Sequence, residues 1–346
     1  MIKEVLFEKK NFVKKFCFSP FENVEIGLNG QVGICGCYEW MPSIVGNIYE
    51  NNISDILKSP LVDKIRKSIL DGGYQYCNEL KCKLIKNNEL VEISQQQRKY
   101  FENTSNSELF FPKRVYFSGD LTCNLSCPSC RQKIIKYEEN DIEKQKKLVD
   151  TFYKNLFSIP NNSMKELIMS TTGELFASEI LLQLLGKINI IDFPFLKLHI
   201  QTNGLLMEKR WERLGSWEKR VNIVNLTADS CFKNTYEKLR RGGNFEMLID
   251  VIEWFKQKKK ENNITFIIKC VVQKDNYKEV LDFYNFFKNL GADEIHYARI
   301  SDWGTYGAQF TEIDVFQKLH AEHDDAIKKI ELIKNLKDAK LIGDFS

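Results

Sequence analysis

The sequence predicts an α/β fold, a partial (β/α)6 TIM-type barrel preceded by a small cysteine-rich module. After residue 110, six short β-rich runs alternate with longer amphipathic segments. Such alternation is typical of a parallel sheet covered by helices. The cysteines are unevenly distributed, because eight of the ten lie within residues 17–82 and 123–130. This asymmetry indicates two modules.

Each element follows from its residue pattern. Runs rich in β-branched and aromatic residues predict strands at Arg114–Phe117, Glu166–Ser170, Leu196–Gln201, Val221–Thr227, Ile264–Val272 and Glu294–Arg299. Apolar residues that recur at intervals of three and four predict helices at Ile142–Phe157, Phe245–Lys259 and Lys278–Asn289. Parallel sheets of this kind carry their functional loops at the carboxyl ends of the strands. We therefore expect the functional residues just after the strands.

Two segments set the predicted domain boundaries. Residues 86–107 are polar and poor in core residues, which favours a boundary there. In residues 311–337, helical spacing is shown by the apolar residues Phe316, Leu319, Ile327 and Ile330. We predict a module over residues 1–107, a barrel over 108–310, and a helical segment over 311–346 that closes the barrel.

Composition and charge exclude several classes of partner. The chain has 346 residues, and its 50 Lys and Arg nearly balance its 47 Asp and Glu. The formal net charge of +3 gives no basis for a nucleic-acid partner. Residues 1–10 lack the apolar core of a signal peptide, and no long apolar run is present to span a membrane. We expect a cytoplasmic protein, in which ten cysteines indicate metal ligation rather than disulfides.

Cys123, Cys127 and Cys130 have the spacing C-x3-C-x2-C and follow the first predicted strand. Three thiolates on one tight loop can bind three irons of a [4Fe–4S] cube and leave the fourth iron open to a small molecule. A structural zinc site takes four ligands, and no nearby Cys or His completes this set. The motif resembles that of the radical S-adenosylmethionine (SAM) enzymes.

This resemblance implies cofactors and a reaction class. In that family SAM occupies the open iron, and an electron from the reduced cluster splits SAM into methionine and a 5′-deoxyadenosyl radical. The radical then abstracts a hydrogen atom from the substrate. The resemblance thus implies a radical SAM oxidoreductase with a [4Fe–4S] cluster, SAM, and a flavodoxin- or ferredoxin-type electron donor.

The resemblance continues after the second and third strands. The segment Ser170-Thr-Thr-Gly-Glu174 is similar to the family's Gly-Gly-Glu-Pro segment, in which Gly173 and Glu174 match. This implies that Glu174 accepts a hydrogen bond from the SAM amine, although a Glu here also suits an ordinary helix start. Thr202 and Asn203 would border the same pocket, within an Asn-Gly sequence that is also a plain turn signal.

The fourth and fifth strands supply the other implied SAM contacts. The resemblance places Thr227 and Asp229 beside the ribose and Arg240 beside the carboxylate, which a planar guanidinium suits. Arg240 is alternatively a helix-end residue that faces water. Val272 is implied on the adenine side, and it is alternatively plain sheet core. Ser129 stands where an aromatic residue packing on adenine is common, so this contact is expected to differ.

The amino-terminal cysteines resemble a second domain. Cys17 and Cys35, with Gly30 between them, match the opening C-x(9–15)-G-x4-C of the SPASM domain. This domain normally follows the barrel and has more cysteines. Here the resemblance implies one auxiliary [4Fe–4S] cluster, with Cys37 as a spare and four ligands, Cys17, Cys35, Cys77 and Cys82. Four thiolates also fit structural zinc, and buried cysteines are often simple core residues.

An auxiliary cluster favours oxidative chemistry, because it can accept the electron that a substrate radical loses. We predict oxidative modification of a peptide substrate. Two alternatives stay open, namely dehydrogenation or epimerisation of a sugar or other small alcohol, and a non-enzymatic iron–sulfur or zinc-stabilised binding protein. Cys231 is a candidate catalytic hydrogen-atom donor for an epimerisation, or else a buried small hydrophobe.

Overall fold

The computed structural model describes residues 2–104, 111–135, 137–169 and 172–345. The chain divides into two compact units. The first comprises Met1–Asp120, Glu138–Thr172 and Gln183–Lys197. The second comprises Leu121–Tyr137, Gly173–Leu182 and Leu198–Ser346.

The strands are β1 Lys15–Phe16, β2 Asn23–Gly27, β3 Gln31–Gly33, β4 Gly46–Asn47, β5 Val91–Glu92, β6 Arg114–Ser118, β7 Glu166–Met169, β8 Lys197–Thr202, β9 Val221–Thr227, β10 Thr265–Val272, β11 Glu294–Arg299 and β12 Ala339–Ile342. The α-helices are α1 Ser19–Glu22, α2 Ile53–Leu57, α3 Pro60–Leu70, α4 Lys83–Lys86, α5 Gln95–Thr104, α6 Glu139–Leu156, α7 Glu179–Lys187, α8 Met207–Arg210, α9 Lys233–Leu239, α10 Phe245–Asn262, α11 Val280–Asn289, α12 Phe310–Ile313 and α13 His323–Lys334. Short 3-10 helices occupy Leu28–Gly30, Leu175–Ala177, Ile190–Asp192, Trp211–Arg220, Tyr277–Glu279 and Gly307–Gln309.

The sheet of the first unit joins the amino-terminal region to the first two strands that follow it. Its order is β7-β6-β2-β3-β4. Strand β6 pairs in parallel with β7 and with β2, whereas β2, β3 and β4 form antiparallel pairs. The ends of β2 and β6 are tied by Glu22, which forms ion pairs with Lys113 at 2.5 Å and Arg114 at 3.2 Å. The amino-terminal region therefore extends the sheet.

A separate aromatic core supports the amino-terminal cysteines. It packs Phe16, Phe21, Tyr74 and Phe101 together with Cys77. Phe101 lies on α5 within the polar segment predicted as a boundary, and it is 8% exposed. Through this one aromatic side chain, the polar helix packs on the core of the amino-terminal region. The domain boundary within residues 86–107 remains a prediction. The predicted boundary at residue 107 lies outside the described residues.

The second unit has a wholly parallel sheet in the order β8-β9-β10-β11-β12. Helices connect successive strands, and α10 shows why they begin where they do. The side chain of Asn244 accepts a 2.8 Å hydrogen bond from the N–H of Met247 at the start of α10. Asn263 ends α10 in the left-handed conformation, with φ 53°.

These strands and helices confirm the predicted α/β class with a mostly parallel sheet. Strands β9 and β11 have the predicted bounds, and the other predicted strands differ by no more than one residue at either end. Ser170, the last residue of the predicted second strand, lies outside the described residues. The boundary at residue 310 remains a prediction.

The carboxyl-terminal tail differs from the predicted single helix. It contains α12 and α13 with an irregular segment between them, followed by β12, which pairs in parallel with β11. Leu319 lies in the irregular segment and is fully exposed, at 100%. Phe316 and Ile330 are buried as predicted. At Leu319, the helical spacing of apolar residues therefore does not correspond to a helix.

In the described parts of the chain, every helix is too short or too polar to cross a bilayer.

Candidate functional site

Cys123, Cys127 and Cys130 lie on the loop between β6 and α6. The N–H groups of Cys130 and Arg131 both donate to the carbonyl oxygen of Cys127 at 2.9 Å, which closes a tight turn. The N–H of Leu125 donates to Sγ of Cys123 at 3.4 Å. The structure thus brings the three predicted ligands onto one hydrogen-bonded loop.

Two arginines place positive charge near these thiols. Burial raises the pKa of Cys123 and of Cys127, and it is opposed by Arg131 at Cys123 and by Arg240 at Cys127. Nη2 of Arg131 donates to Sγ of Cys130 at 3.4 Å. At Cys123 and Cys127, the two guanidinium groups thus favour the thiolate form, which is the form that binds iron.

Glu174 is 1% exposed and begins the 3-10 helix that follows β7. Its carboxylate accepts hydrogen bonds from Thr202 Oγ1 at 2.8 Å, the N–H of Asn203 at 2.6 Å and the N–H of Phe176 at 3.1 Å. Burial nevertheless raises the pKa of Glu174. The last bond caps the 3-10 helix, so Glu174 does start a helix. The other two bonds fix the turn after β8. Its neighbour Gly173 is half-buried, and Ser170 and Thr171 of the same motif lie outside the described residues.

The turn after β8 reaches the cysteine loop through Asn203. Its Nδ2 donates to Oδ1 of Asn124 at 2.9 Å and lies 3.8 Å from Sγ of Cys123. The turn requires Gly204, which has φ 84°, and a Cβ there would lie 2.6 Å from the Leu226 side chain. Thr202 and Asn203 are therefore brought to the same place as Glu174 and Cys123.

Arg240 and Asp229 form a buried ion pair. Nη1 of Arg240 lies 3.2 Å from Oδ2 of Asp229. The other carboxylate oxygen accepts from the N–H of Val271 at 2.7 Å, and the Asp229 carbonyl accepts from Asn276 Nδ2 at 2.7 Å. Among the described residues no acceptor pairs with the buried Nε of Arg240. Arg240 thus faces the cysteine loop rather than water, and it keeps one donor for a further acceptor.

In the ranges that the structure describes, two predicted SAM contacts, Thr227 and Val272, form no side-chain hydrogen bond or ion pair with the residues named above. Thr227 is half-buried at the end of β9, where it lies opposite Lys269 of β10. Val272 is fully buried, at 0% exposure. Because side chains alternate along a strand, the half-buried Val271 points to the opposite face of β10. Complete burial favours the sheet-core interpretation of the Val272 side chain.

Cys17, Cys35, Cys77 and Cys82 lie together in the first unit. Burial raises the pKa of each thiol; Cys82 further raises that of Cys17, and the thiols of Cys17, Cys77 and Cys82 all raise that of Cys35. A cube takes one thiolate per iron, so four neighbouring thiols are a suitable donor set. Within the described ranges, no three or more His, Cys, Asp or Glu side chains are spaced to hold a single metal ion.

The remaining cysteines have other surroundings. Burial raises the pKa of Cys37 to about 11, with further contributions from Glu39 and Glu25. Cys37 lies beside Cys35, which fits the role of a spare. Burial raises the pKa of Cys231 to about 12, and its charged neighbours are Glu279 and Asp282. Cys231 therefore stays protonated at neutral pH.

Three residues of the site were missed by the sequence analysis. Arg131 and Asn124 were hidden within the cysteine motif, where only the thiols were assigned. Arg241 was passed over beside Arg240, although its guanidinium binds the cysteine loop at Ser126 Oγ, at 3.1 Å. An arginine directly next to a ligand cysteine is the signal that could have identified Arg131.

Comparisons with known proteins match both regions. The Radical SAM superfamily profile matches residues 121–287, and the profile of the SPASM iron–sulfur cluster-binding domain matches residues 17–83. The antilisterial bacteriocin subtilosin biosynthesis protein AlbA of Bacillus subtilis strain 168 is 25% identical over 229 residues. That alignment covers 64% of this chain and 47% of AlbA, so the chain spans about half the length of this relative.

Solved structures show more distant likenesses. Streptococcus suis SuiB bound to S-adenosylmethionine is 15% identical, with a TM-score of 0.43, over 73% of this chain and 55% of SuiB. The anSMEcpe structure with AdoMet and the Cp18Cys peptide is 21% identical, with a TM-score of 0.39, over 62% of this chain and 56% of that one. The two matched domains imply [4Fe–4S] clusters and SAM as cofactors. The chain therefore carries a radical SAM domain over residues 121–287 and a SPASM domain at its amino terminus, over residues 17–83.

Proposed function

We propose that this radical SAM enzyme is an oxidoreductase that removes hydrogen from a peptide substrate. The observation that supports it most directly is the group of four neighbouring thiols, Cys17, Cys35, Cys77 and Cys82. This group would hold one auxiliary [4Fe–4S] cluster, which provides an acceptor for the electron that an oxidised product leaves behind.

The second unit supplies the SAM site of this proposal. Cys123, Cys127 and Cys130 would hold the SAM cluster, which generates the 5′-deoxyadenosyl radical when SAM and reductant are bound. Arg240 would bind the SAM carboxylate through its unpaired Nε, because Asp229 already holds the other side of the guanidinium. A flavodoxin- or ferredoxin-type protein would deliver the electron.

Glu174 would serve this site in two ways. Its carboxylate has about four lone-pair positions, of which three accept from Thr202, Asn203 and Phe176. The remaining position can accept from the SAM amine. The bonds to Thr202 and Asn203 also hold Asn203 beside Cys123. The carboxylate would thus bind SAM and position the turn that borders it.

The surroundings of Cys231 support oxidation over epimerisation. An epimerase needs a hydrogen-atom donor that reaches the substrate radical. Burial raises the pKa of Cys231, so this thiol keeps its proton, and its charged neighbours are Glu279 and Asp282. The four neighbouring thiols of the first unit support an auxiliary cluster that accepts an electron. The case for a hydrogen-atom donor rests on the single thiol of Cys231, so we favour oxidation.

The peptide part of the proposal is supported by the relative AlbA, whose name assigns it to the biosynthesis of a bacteriocin. Bacteriocins are peptides or small proteins. A sugar or other small alcohol would give the same reaction class with a different substrate, and peptide-based assays distinguish the two.

The test is an anaerobic reaction with SAM, dithionite and candidate peptides encoded beside the gene, run in D2O. We expect 5′-deoxyadenosine together with a peptide that has lost two hydrogen atoms. A peptide of unchanged composition that carries one solvent deuterium would overturn oxidation in favour of epimerisation. Turnover of small alcohols but of no peptide would overturn the substrate class.

A further inference from the structure

Arg131 directly follows the third cysteine of the loop and turns back onto it. The residue is only 8% exposed. Its Nη2 donates to Sγ of Cys130 at 3.4 Å, and its Nη1 donates to the carbonyl oxygen of Leu121. One guanidinium therefore joins Leu121, near the start of the loop, to the last cysteine.

Arg241 fixes the backbone from which Arg131 projects. Its Nη2 donates to the carbonyl oxygens of Arg131, at 3.3 Å, and Gln132. Its Nε donates to Ser126 Oγ at 3.1 Å, while its own carbonyl accepts from the N–H of Ser126 at 3.0 Å. Hydrogen bonds with Arg241 thus hold the loop before Cys130, at Ser126, and after it, at Arg131 and Gln132. These bonds fix the backbone from which the Arg131 side chain extends toward Cys130.

The three thiols of the loop differ in the hydrogen-bond donors and charges that surround them. Cys123 receives a neutral N–H from Leu125. Cys127 feels the charge of Arg240, which is paired with Asp229. In the described part of the chain, Cys130 is the thiol with a hydrogen bond from a charged donor, and it is also the exposed one. A charge-assisted bond is roughly twice as strong as a neutral one.

We propose that Arg131 sets the reduction potential of the cluster on this loop by donating a hydrogen bond to the Cys130 sulfur. Hydrogen bonds and positive charge at a ligand sulfur stabilise the reduced cluster, which carries one more negative charge, and so raise its potential. This role of Arg131 rests on one part of the proposed function, namely that Cys130 is a ligand of the SAM cluster.

The test is an anaerobic redox titration of the reconstituted full chain, followed by electron paramagnetic resonance. The signal that changes when SAM is added identifies the SAM cluster. We expect Arg131→Met to shift its midpoint potential to more negative values and Arg131→Gln to shift it less, because the amide still donates. The matched control is Lys133→Gln, which removes an exposed charge two residues away and should leave the potential unchanged.

A wild-type potential in both Arg131 variants would overturn the proposal. Failure of both variants to take up iron to the wild-type level would overturn it too, because Arg131 would then be needed for assembly rather than for tuning. Cys130→Ala separates this proposal from the site assignment. If that variant keeps the SAM-responsive signal, Cys130 is not a ligand; if it loses the signal while Arg131→Met titrates normally, only the tuning role fails.

Discussion

Asp229 and Arg240 form an ion pair that is almost completely removed from water. The carboxylate oxygen lies 3.2 Å from the guanidinium nitrogen, and the side chains are 1% and 13% exposed. The carboxylate also accepts from β10 through the N–H of Val271. One acidic side chain therefore links Arg240 to the sheet of the second unit.

Asp229→Ala should destabilise the fold by about 3–5 kcal/mol, because a buried guanidinium would lose its counter-charge. Urea unfolding monitored by circular dichroism measures this. The control, Lys238→Ala, removes an exposed ion pair with Asp275 and should change stability by about 0.5 kcal/mol or less. Asp229→Ala combined with Arg240→Met should recover part of the loss. Equal effects of Asp229→Ala and the control would contradict this account.

Replacing Cys123, Cys127 and Cys130 together by Ala should abolish cleavage of SAM under dithionite. The loop would lose all three sulfur ligands, while its backbone turn at Cys127 would keep its hydrogen bonds. Liquid chromatography of 5′-deoxyadenosine measures the effect. Circular dichroism is the control, and it should show an unchanged fold. Persistent 5′-deoxyadenosine would remove the assignment of these cysteines to the SAM cluster.

The same triple variant should keep about four irons per chain, as expected of one cube in the amino-terminal region. Further replacement of Cys17 and Cys77 by Ala should remove that iron, whereas replacement of Cys37 should leave most of it. Elemental analysis measures both. Zinc in place of iron in the triple variant would show that the four thiols form a structural zinc site.

Glu174→Gln should weaken SAM binding by roughly ten- to a hundredfold, the effect of losing a charge-assisted hydrogen bond of about 1.5–3 kcal/mol. Isothermal titration calorimetry measures the affinity. The matched control is Glu179→Gln, since Glu179 is a nearby surface residue paired with Arg213. Unchanged affinity in Glu174→Gln would limit Glu174 to capping its 3-10 helix.

Glu25 should make stability depend on pH. Burial raises its pKa to about 7, and Ser118 Oγ donates to it at 2.9 Å. The folded carboxyl therefore holds a proton that the unfolded chain has already released between about pH 4.5 and 7. Since the native state binds more protons in this window, stability falls as pH rises through it, by about 3 kcal/mol in total.

Glu25→Gln should remove this contribution, so the variant gains stability over the wild type above pH 7 and little below pH 4.5. Urea unfolding at a series of pH values measures the difference, and parallel curves for the two proteins would contradict the prediction. Charged or titratable neighbours that lie near Glu25 include Cys37, Tyr38 and Tyr116. Burial holds the pKa of each of these above 10, so they stay neutral in this window.

The sequence predicted the elements whose pattern is local. Strands β9 and β11 could be placed to the residue, because apolar and polar residues intermix along each of them and Asp, Ser or Gly residues follow shortly after. The three-cysteine loop could be recognised because its spacing is fixed within eight residues. The pairing of β2 with β6 could not be predicted, since nothing near Asn23–Gly27 indicates a partner about ninety residues away.

Side-chain geometry also lay beyond the sequence. The direction of a turn cannot be predicted from residue spacing. For this reason the sequence does not show that Asn203 reaches Cys123 or that Arg131 turns back onto Cys130. Leu319 shows the opposite error, in which helical spacing was present without a helix. Apolar periodicity predicts a buried face only where the chain can continue the helix.

The parallel pairing of β2 with β6 has a consequence for how the chain is made. Strand β2 leaves the ribosome early, but its neighbour emerges only after residue 118 has been added. Until then the backbone groups on that side of β2 have no strand to bond with, and an unpaired edge invites pairing with other chains. A fragment cut at residue 107 would keep that edge open permanently and lose the bond from Ser118 to Glu25. The SPASM region should therefore require residues beyond its own cysteines to become a stable, non-aggregating structure.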